Sequence, residues 1–224
     1  MLATGAAMLL FYDIAGDPAD HDDWHSREHF AERLAVPGFL SAARWVSPDA
    51  SPRYMVLYEV ADVGIARSDA YLERLNNPSD WTSKIMPRFR GMIRGFCNTI
   101  AGEGFGYGTT AMAFRLTAQG ARADAIAERL ASRAIPGISE CRGFVSCCLL
   151  KPQATPPMTR EQSLRGTDKT LPLVLIVTGF GDLPEADLTA LVKDAAGSAL
   201  TEPPLTYRLD QIAGEREICI RCSC

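Results

Sequence analysis

Residues 31–38 read AERLAVPG, and AERLA returns at 127–131, where a second proline–glycine pair follows at 136–137. The word IAGE also occurs twice, at 100–103 and at 212–215. Because the marks recur in the same order, they predict one unit of about 100 residues present twice, too long for a solenoid repeat. Two apolar segments match between these marks: YMVLYEVAD (54–62) with LPLVLIVTGFGD (171–182), and MLLFYDI (8–14) with AMAFRLT (111–117).

Each copy shows the same order of predicted elements. Apolar and aromatic runs bounded by glycine, proline and aspartate indicate strands, and acidic starts with proline–glycine ends indicate helices. In the first copy we predict strands at 7–14, 39–47, 53–60 and 94–101, and helices at 20–35, 64–76 and 79–92, the last kinked at Pro87. In the second copy we predict strands at 109–117, 142–151, 171–180 and 204–213, and helices at 121–134 and 184–197.

The order β-α-β-β-α-β is the ferredoxin-like arrangement, in which helices cover one face of a four-stranded antiparallel sheet. The other face is apolar and must be covered. We therefore predict an α+β fold in which two tandem units, residues 1–103 and 104–224, pack sheet to sheet as a fused barrel. The segment 152–170, rich in proline, threonine and charge, is predicted to be a long surface loop.

Composition excludes several classes of protein. The 224 residues carry a formal net charge of −4 without a cluster of lysine and arginine, which argues against nucleic-acid binding. No apolar run approaches the roughly 20 residues of a membrane span. Seven cysteines, an odd number, do not form a secreted disulfide framework, so we expect a cytoplasmic protein.

The three histidines, His21, His25 and His29, all lie in the segment DHDDWHSREHF (20–30). Spacing of four places them on one stripe of a helix. Imidazoles exchange protons near neutral pH, so these side chains are candidates for general acid/base chemistry. We predict His29 as the acid/base and His25 as a second proton carrier, with Asp22 or Glu28 orienting one of them.

Two other interpretations of the stripe remain open. On a straight helix, His25 and His29 fall away from the apolar face, which would make them a solvated polar surface. His25 to His29 also spells H-x-x-E-H, a zinc-protease motif, but zinc needs a third ligand and Glu103 is an unconvincing one. We therefore predict neither a metal nor a cofactor. The tail cysteines, Cys219, Cys222 and Cys224, form an incomplete metal site by the same reasoning.

The stretch from His29 to Pro37-Gly38 resembles the EthD-like branch of the dimeric α+β barrels. In that family a first-helix histidine is followed about eight residues later by Pro-Gly and a strand. The resemblance implies a barrel fold and a small-molecule function, such as that of cofactor-free monooxygenases, isomerases, cyclases or decarboxylases. The family often has proline two residues after the histidine, where this chain has Ala31. The second copy has no histidine at the matching place, so only the first could hold a site.

Aromatic side chains with a polar tip suit a pocket for a small aromatic or enolisable ligand. The candidates in the first copy are Tyr12, Trp24, Trp45, Tyr58 and Trp81. The expected partner is a small molecule, bound by a monomer acting as an internal pseudo-dimer or by a homodimer. The alternative is a non-catalytic protein that binds a small molecule or is purely structural.

Overall fold

The computed structural model describes residues 4–154 and 158–217. The first half runs through strand β1 (Ala6–Ile14), a long helix, strands β2 (Phe39–Val46) and β3 (Tyr54–Val60), helices, and strand β4 (Phe89–Gly104). The long helix consists of α1 (Ala19–Trp24), a π-helical turn (His25–His29) and α2 (Phe30–Leu34). A 3-10 turn (Val63–Arg67), α3 (Asp69–Asn76), α4 (Asp80–Ile85) and another 3-10 turn (Met86–Arg88) precede β4.

The second half has the same order with one insertion. Strand β5 (Thr110–Leu116) leads into α5 (Gly120–Arg129), a π-helical turn (Leu130–Ala134) and α6 (Ile135–Ser139), and then into β6 (Phe144–Pro152). The insertion carries α7 (Arg160–Arg165) and β7 (Lys169–Thr170). Strand β8 (Leu173–Gly179), α8 (Glu185–Ala196), a 3-10 turn (Gly197–Ala199) and β9 (Leu205–Gly214) complete the described chain.

Eight of the strands form a closed antiparallel barrel in the order β1-β3-β2-β9-β5-β8-β6-β4, and β4 returns to β1. The two halves meet at two hydrogen-bonded seams, β2 with β9 and β4 with β6. The mixed α and β content is as predicted, but the sheets do not merely face each other. Their edges are paired, which leaves no open edge in the barrel and satisfies the edge-strand hydrogen bonds.

Three apolar cores follow from the alternation of side chains along the strands. One fills the barrel, and each of the others lies between one half of the barrel wall and its helices. Adjacent cysteines show the alternation: Cys148 belongs to the barrel interior, whereas Cys147 belongs to the outer core of the second half.

Three predictions about element boundaries are wrong. The helix predicted at 121–134 continues through α6 to Ser139. Residues 89–92 are not helical, because the helical stretch ends at Arg88 and β4 starts at Phe89, where pairing with β1 satisfies the backbone. The insertion at 152–170 is not a bare loop, since α7 begins with a capping box between Thr159 and Gln162. Its Glu161 and Gln162 side chains are buried.

The repeated motifs AERLA and Pro-Gly lie at different positions relative to the π turn in the two halves. In the first half AERLA (31–35) follows the π turn, whereas in the second half AERLA (127–131) runs into it. Each π turn ends ten residues before the next strand begins, from His29 to Phe39 and from Ala134 to Phe144. Pro136-Gly137 lies inside α6, and Gly143, not Gly137, takes the positive φ that Gly38 has before β2.

No helix in the described ranges is long and apolar enough to cross a membrane.

Candidate functional site

The three histidines are buried, and a π turn spans His25 to His29. The backbone N–H of Phe30 bonds to the carbonyl of His25, five residues back, so this turn holds one more residue than an α-helical turn. One extra residue changes the side-chain phase by about 100°. The exposed fractions of His21, His25 and His29 are 0%, 2% and 8%, so the solvated polar surface is wrong. Side-chain directions calculated for a straight α-helix do not include the extra residue of a π turn.

The second half offers an internal comparison. Its π turn has the same five-residue hydrogen bond, from Ile135 to Leu130, and lies at the same distance from the next strand. Counting back from the strands, Leu130 corresponds to His25 and Ala134 to His29. Both are fully buried apolar residues. The fold therefore packs this turn with leucine and alanine, and the imidazoles of the first half are not a packing requirement.

A small cavity of about 30 Å³ lies between the first half of the barrel wall and its helices. Since one buried water needs roughly 10–15 Å³ by this measure, it has room for about two waters. His25, His29 and Arg33 reach it from the long helix, and α7 supplies Glu161, Gln162 and Arg165. The remaining lining side chains are Met8, Leu10, Tyr12, Tyr58, Tyr71, Leu75, Met86, Phe89, Met92 and Arg94.

The surroundings of His25 and His29 at this cavity disfavour the charged form of each imidazole. Burial lowers the pKa of both well below the usual range, and the Arg33 guanidinium acts in the same direction on each. Their ring centroids lie 5.3 Å apart, and neither Nδ1 atom has a hydrogen-bond partner. Buried polar atoms are normally paired, so these two ring nitrogens leave hydrogen-bonding capacity unused beside a cavity.

His21 belongs to a different hydrogen-bond network. Its Nδ1 lies 2.9 Å from Oδ1 of Asp22, and its Nε2 lies 3.2 Å from the hydroxyl of Tyr12. Tyr54 donates to the same carboxylate oxygen at 2.7 Å. Burial lowers the pKa of His21, and the Asp22 carboxylate opposes that change. The Asp22 carboxylate therefore orients His21. The prediction that it orients His25 or His29 is wrong.

Glu28 also lies in a different place from the one its predicted role requires. Its carboxylate accepts from Trp24 Nε1 at 3.2 Å, from Thr82 Oγ1 at 3.2 Å and from the Ser79 hydroxyl. These bonds fasten the π turn to the start of α4. No hydrogen bond joins Glu28 to His25 or His29, so its prediction as their orienting group is wrong.

Replacing Glu28 with alanine is expected to lower the free energy of unfolding by about 1–3 kcal/mol, because Ser79 and the buried Thr82 lose a charged acceptor. Urea unfolding measures the change. Asp23→Ala is the control on the same helix, since its ion pair with Arg27 spans 3.8 Å and both side chains are about 70% exposed. That control should shift stability by less than about 0.5 kcal/mol. Equal effects of the two variants would contradict a fastening role for Glu28.

A buried ionic cluster closes the other side of the cavity. Arg33 bonds to Glu161 from α7, and Arg165 forms a two-bond pair with Asp168 at 2.9 and 2.7 Å. Arg94 donates to the Tyr71 hydroxyl at 2.5 Å and lies 3.6 Å from Asp168. Sequence reasoning missed this cluster. Arg33 could have been found, since it continues the spacing of four from His29, and T-x-x-Q at 159–162 is a helix-start signature.

The predicted aromatic lining is only partly at the cavity. Tyr12 and Tyr58 line it, and the Tyr58 hydroxyl is buried without a partner. Trp24 packs on His29 with ring centroids 4.3 Å apart but is not part of the lining. Trp45 lies in the barrel interior, on the opposite face of the wall, because β2 turns alternate side chains inward. Trp81 donates to Asp20 at 3.1 Å, away from the cavity.

Among the described residues, no three or more His, Cys, Asp or Glu side chains are grouped to hold a metal ion. Glu103, the weighed third zinc ligand, is exposed near the end of β4 and pairs with Cys147 on β6. Cys219, Cys222 and Cys224 lie outside the described residues.

Comparison with known proteins places the fold in a group of solved structures. No protein-family pattern and no curated relative matches the sequence. An anthrone oxidase-like protein superposes with a TM-score of 0.62 at 10% identity, covering 94% of this chain and 93% of its own. A protein named as a candidate monooxygenase from Fusobacterium nucleatum gives 0.52 at 9% identity, with coverages of 95% and 96%. Another from Lactobacillus acidophilus NCFM gives 0.51 at 8%, with coverages of 94% and 96%. The chain shares their fold, which here is a closed eight-stranded antiparallel barrel covered by helices.

Proposed function

We propose that this protein is a small-molecule enzyme that performs proton transfer on an enolisable or aromatic substrate, with His29 as the general base and His25 as the second proton carrier. The observation that carries the proposal is the pair of buried imidazoles with unpartnered Nδ1 atoms at a cavity. The equivalent positions of the other half hold Leu130 and Ala134. Burying two imidazoles without partners costs stability, so a packing role does not account for them.

The chemical step is the removal of a proton from a carbon next to a carbonyl group. A neutral imidazole takes the proton and becomes imidazolium, and the electron pair of the broken C–H bond forms an enolate. The nearby Arg33 guanidinium stabilises the negative charge that develops on the oxygen, which favours the transition state over the ground state. Return of the proton at another atom gives isomerisation, and attack of the enolate carbon on a second carbonyl group or on dioxygen gives cyclisation or oxygenation. Decarboxylation reaches the same kind of enolate by breaking a C–C bond in place of the C–H bond, and the imidazolium then returns a proton to it.

The lineage of the chain is part of the proposal. We infer a tandem pseudo-dimer of the EthD-like branch, in which one half kept a site and the other became its packing partner. The shared element order, the two matching seams and the equally placed π turns support this. The fold neighbours include proteins named as anthrone oxidase-like and as monooxygenases, which is compatible with chemistry on enolisable aromatics.

The proposal is tested by hydrogen exchange in D₂O. A panel of β-keto acids and hydroxyaryl ketones is incubated with the protein, and the loss of Cα–H signals is followed by NMR. We expect catalysed exchange of at least one member, lost when His25 becomes leucine and His29 becomes alanine, the residues that the second half uses. Asp124→Asn, on the exposed surface of the second half, is the control and should keep the wild-type rate. Binding without exchange would instead identify a non-catalytic binding protein.

A further inference from the structure

Arg33 has one guanidinium nitrogen that is buried without a hydrogen-bond partner. Its Nη2 atom bonds to both carboxylate oxygens of Glu161, at 2.5 and 2.6 Å. Its Nη1 atom is buried and has no partner. A guanidinium normally binds a carboxylate with two parallel bonds from two nitrogens. The single-nitrogen pairing to Glu161 therefore leaves Nη1 without a partner in a side chain that lines the cavity.

The charges around the cavity do not balance. Three guanidinium groups, those of Arg33, Arg94 and Arg165, face two carboxylates, those of Glu161 and Asp168. The side chains of all five residues are no more than 15% exposed. The two imidazoles do not supply the missing negative charge, and burial lowers the pKa of both, which disfavours their charged form. Each guanidinium has a carboxylate within 4 Å, but the cluster keeps one net positive charge, which a bound anion would offset.

We propose that the cavity binds a small organic carboxylate through parallel bonds from Nη1 and Nη2 of Arg33, the second in competition with the carboxylate of Glu161. Small organic carboxylates would then be the substrate class of the proposed enzyme, and this assignment rests on the proposed function. The α-carbon of such a ligand would lie beside His25 and His29, which line the same cavity. The negative charge of the ligand also favours a protonated imidazole, which strengthens a base that is weak in the empty cavity.

The competition also explains how a cavity of about 30 Å³ can admit a substrate. An organic acid is larger than two waters, so part of the wall must withdraw. Glu161 lies on α7, and its bond to Arg33 ties that short helix to the long helix of the histidines. A ligand carboxylate that displaces Glu161 from Arg33 lets the Glu161 side chain withdraw, while the hydrogen bond from Arg160 to Asn76 still holds the start of α7.

The test uses benzoate as the anionic probe and benzamide as its neutral counterpart, with binding measured by calorimetry. Glu161→Gln keeps the shape of the side chain and removes the competing charge. We expect it to tighten benzoate binding by about tenfold and to leave benzamide unchanged. Asp124→Asn makes the same change of net charge at an exposed pair with Lys151 and is the matched control. It should bind benzoate as the wild type does.

The double variant Arg33→Met with Glu161→Gln removes both charges of the pair. It should lose benzoate binding. Should Glu161→Gln fail to fold, benzoate must still shift the Arg33 side-chain ¹⁵N signals of the wild-type protein, assigned with Arg33→Lys. Equal binding of benzoate and benzamide, or equal tightening in Asp124→Asn, would overturn the proposal. Benzoate binding does not require His29, so it can succeed while proton exchange fails, and the two proposals fail separately.

Discussion

Replacing His29 with alanine is expected to lower the rate of substrate turnover by about 10²–10⁴-fold, the usual contribution of a positioned acid/base. The imidazole lies at the cavity with an unpartnered ring nitrogen, and Ala134 shows that the fold accepts alanine at the equivalent place. The measurement is the initial rate of carbon–hydrogen exchange on the substrate found in D₂O. Thermal unfolding of the same sample separates lost chemistry from lost structure, because the buried His29 ring packs on Trp24.

Trp24→Phe is the control for that packing. It keeps a ring against His29 but removes the bonds from Nε1 to Glu28 and Thr82. It should lower stability while keeping the rate within about threefold, well below the loss expected for an acid/base. A folded His29→Ala protein with the wild-type rate would rule out His29 as the base.

Lowering the pH below about 6.5 is expected to destabilise the protein steeply. An unfolded histidine has a pKa of about 6.5, whereas burial lowers the folded pKa of His25 and His29 well below it. Below that pH the unfolded state binds more protons than the folded state, so the free energy of unfolding falls as the pH falls. Each histidine contributes up to about 1.4 kcal/mol per pH unit until its folded pKa is reached.

The groups around the two rings set this response. Arg33 and His21 act on both histidines, Arg44 acts on His25, and Arg165 acts on His29, all disfavouring the charged form. The variant with His25→Leu and His29→Ala should show a shallower fall of stability between pH 6.5 and 5, measured by urea unfolding at each pH. It retains His21 as an internal reference. Parallel curves for the two proteins would contradict the lowered pKa values.

The element order could be predicted from the sequence, and the phase of the first helix could not. Strand alternation and the turns at Ser51-Pro52 and Gly16-Asp17-Pro18 depend on local residues, so the sequence predicts where the neighbouring strands lie. The π turn at His25–His29 has no local residue signature, and it decides which side chains after His25, including His29, face the core. The repeated AERLA pointed to a real similarity of topology although its two copies occupy different places.

The candidate site was found only in part, because half of it comes from the distant insertion. His25, His29, Tyr12 and Tyr58 come from the first half and were proposed from residue chemistry. Glu161 lies 128 residues from Arg33 along the chain, and the residues around either position do not predict that contact. Trp45 was misplaced because aromatic character does not tell which face of a strand becomes the barrel interior.

The two seams of the barrel have a thermodynamic consequence. Since β2–β9 and β4–β6 are formed within one chain, closing the barrel is a unimolecular event. Linking two partners in this way acts like an effective concentration of about millimolar, whatever the dilution. The barrel therefore stays closed at nanomolar protein, and the two halves are free to differ. Such a chain can hold a costly, polar cavity in one half while the other half contributes packing alone.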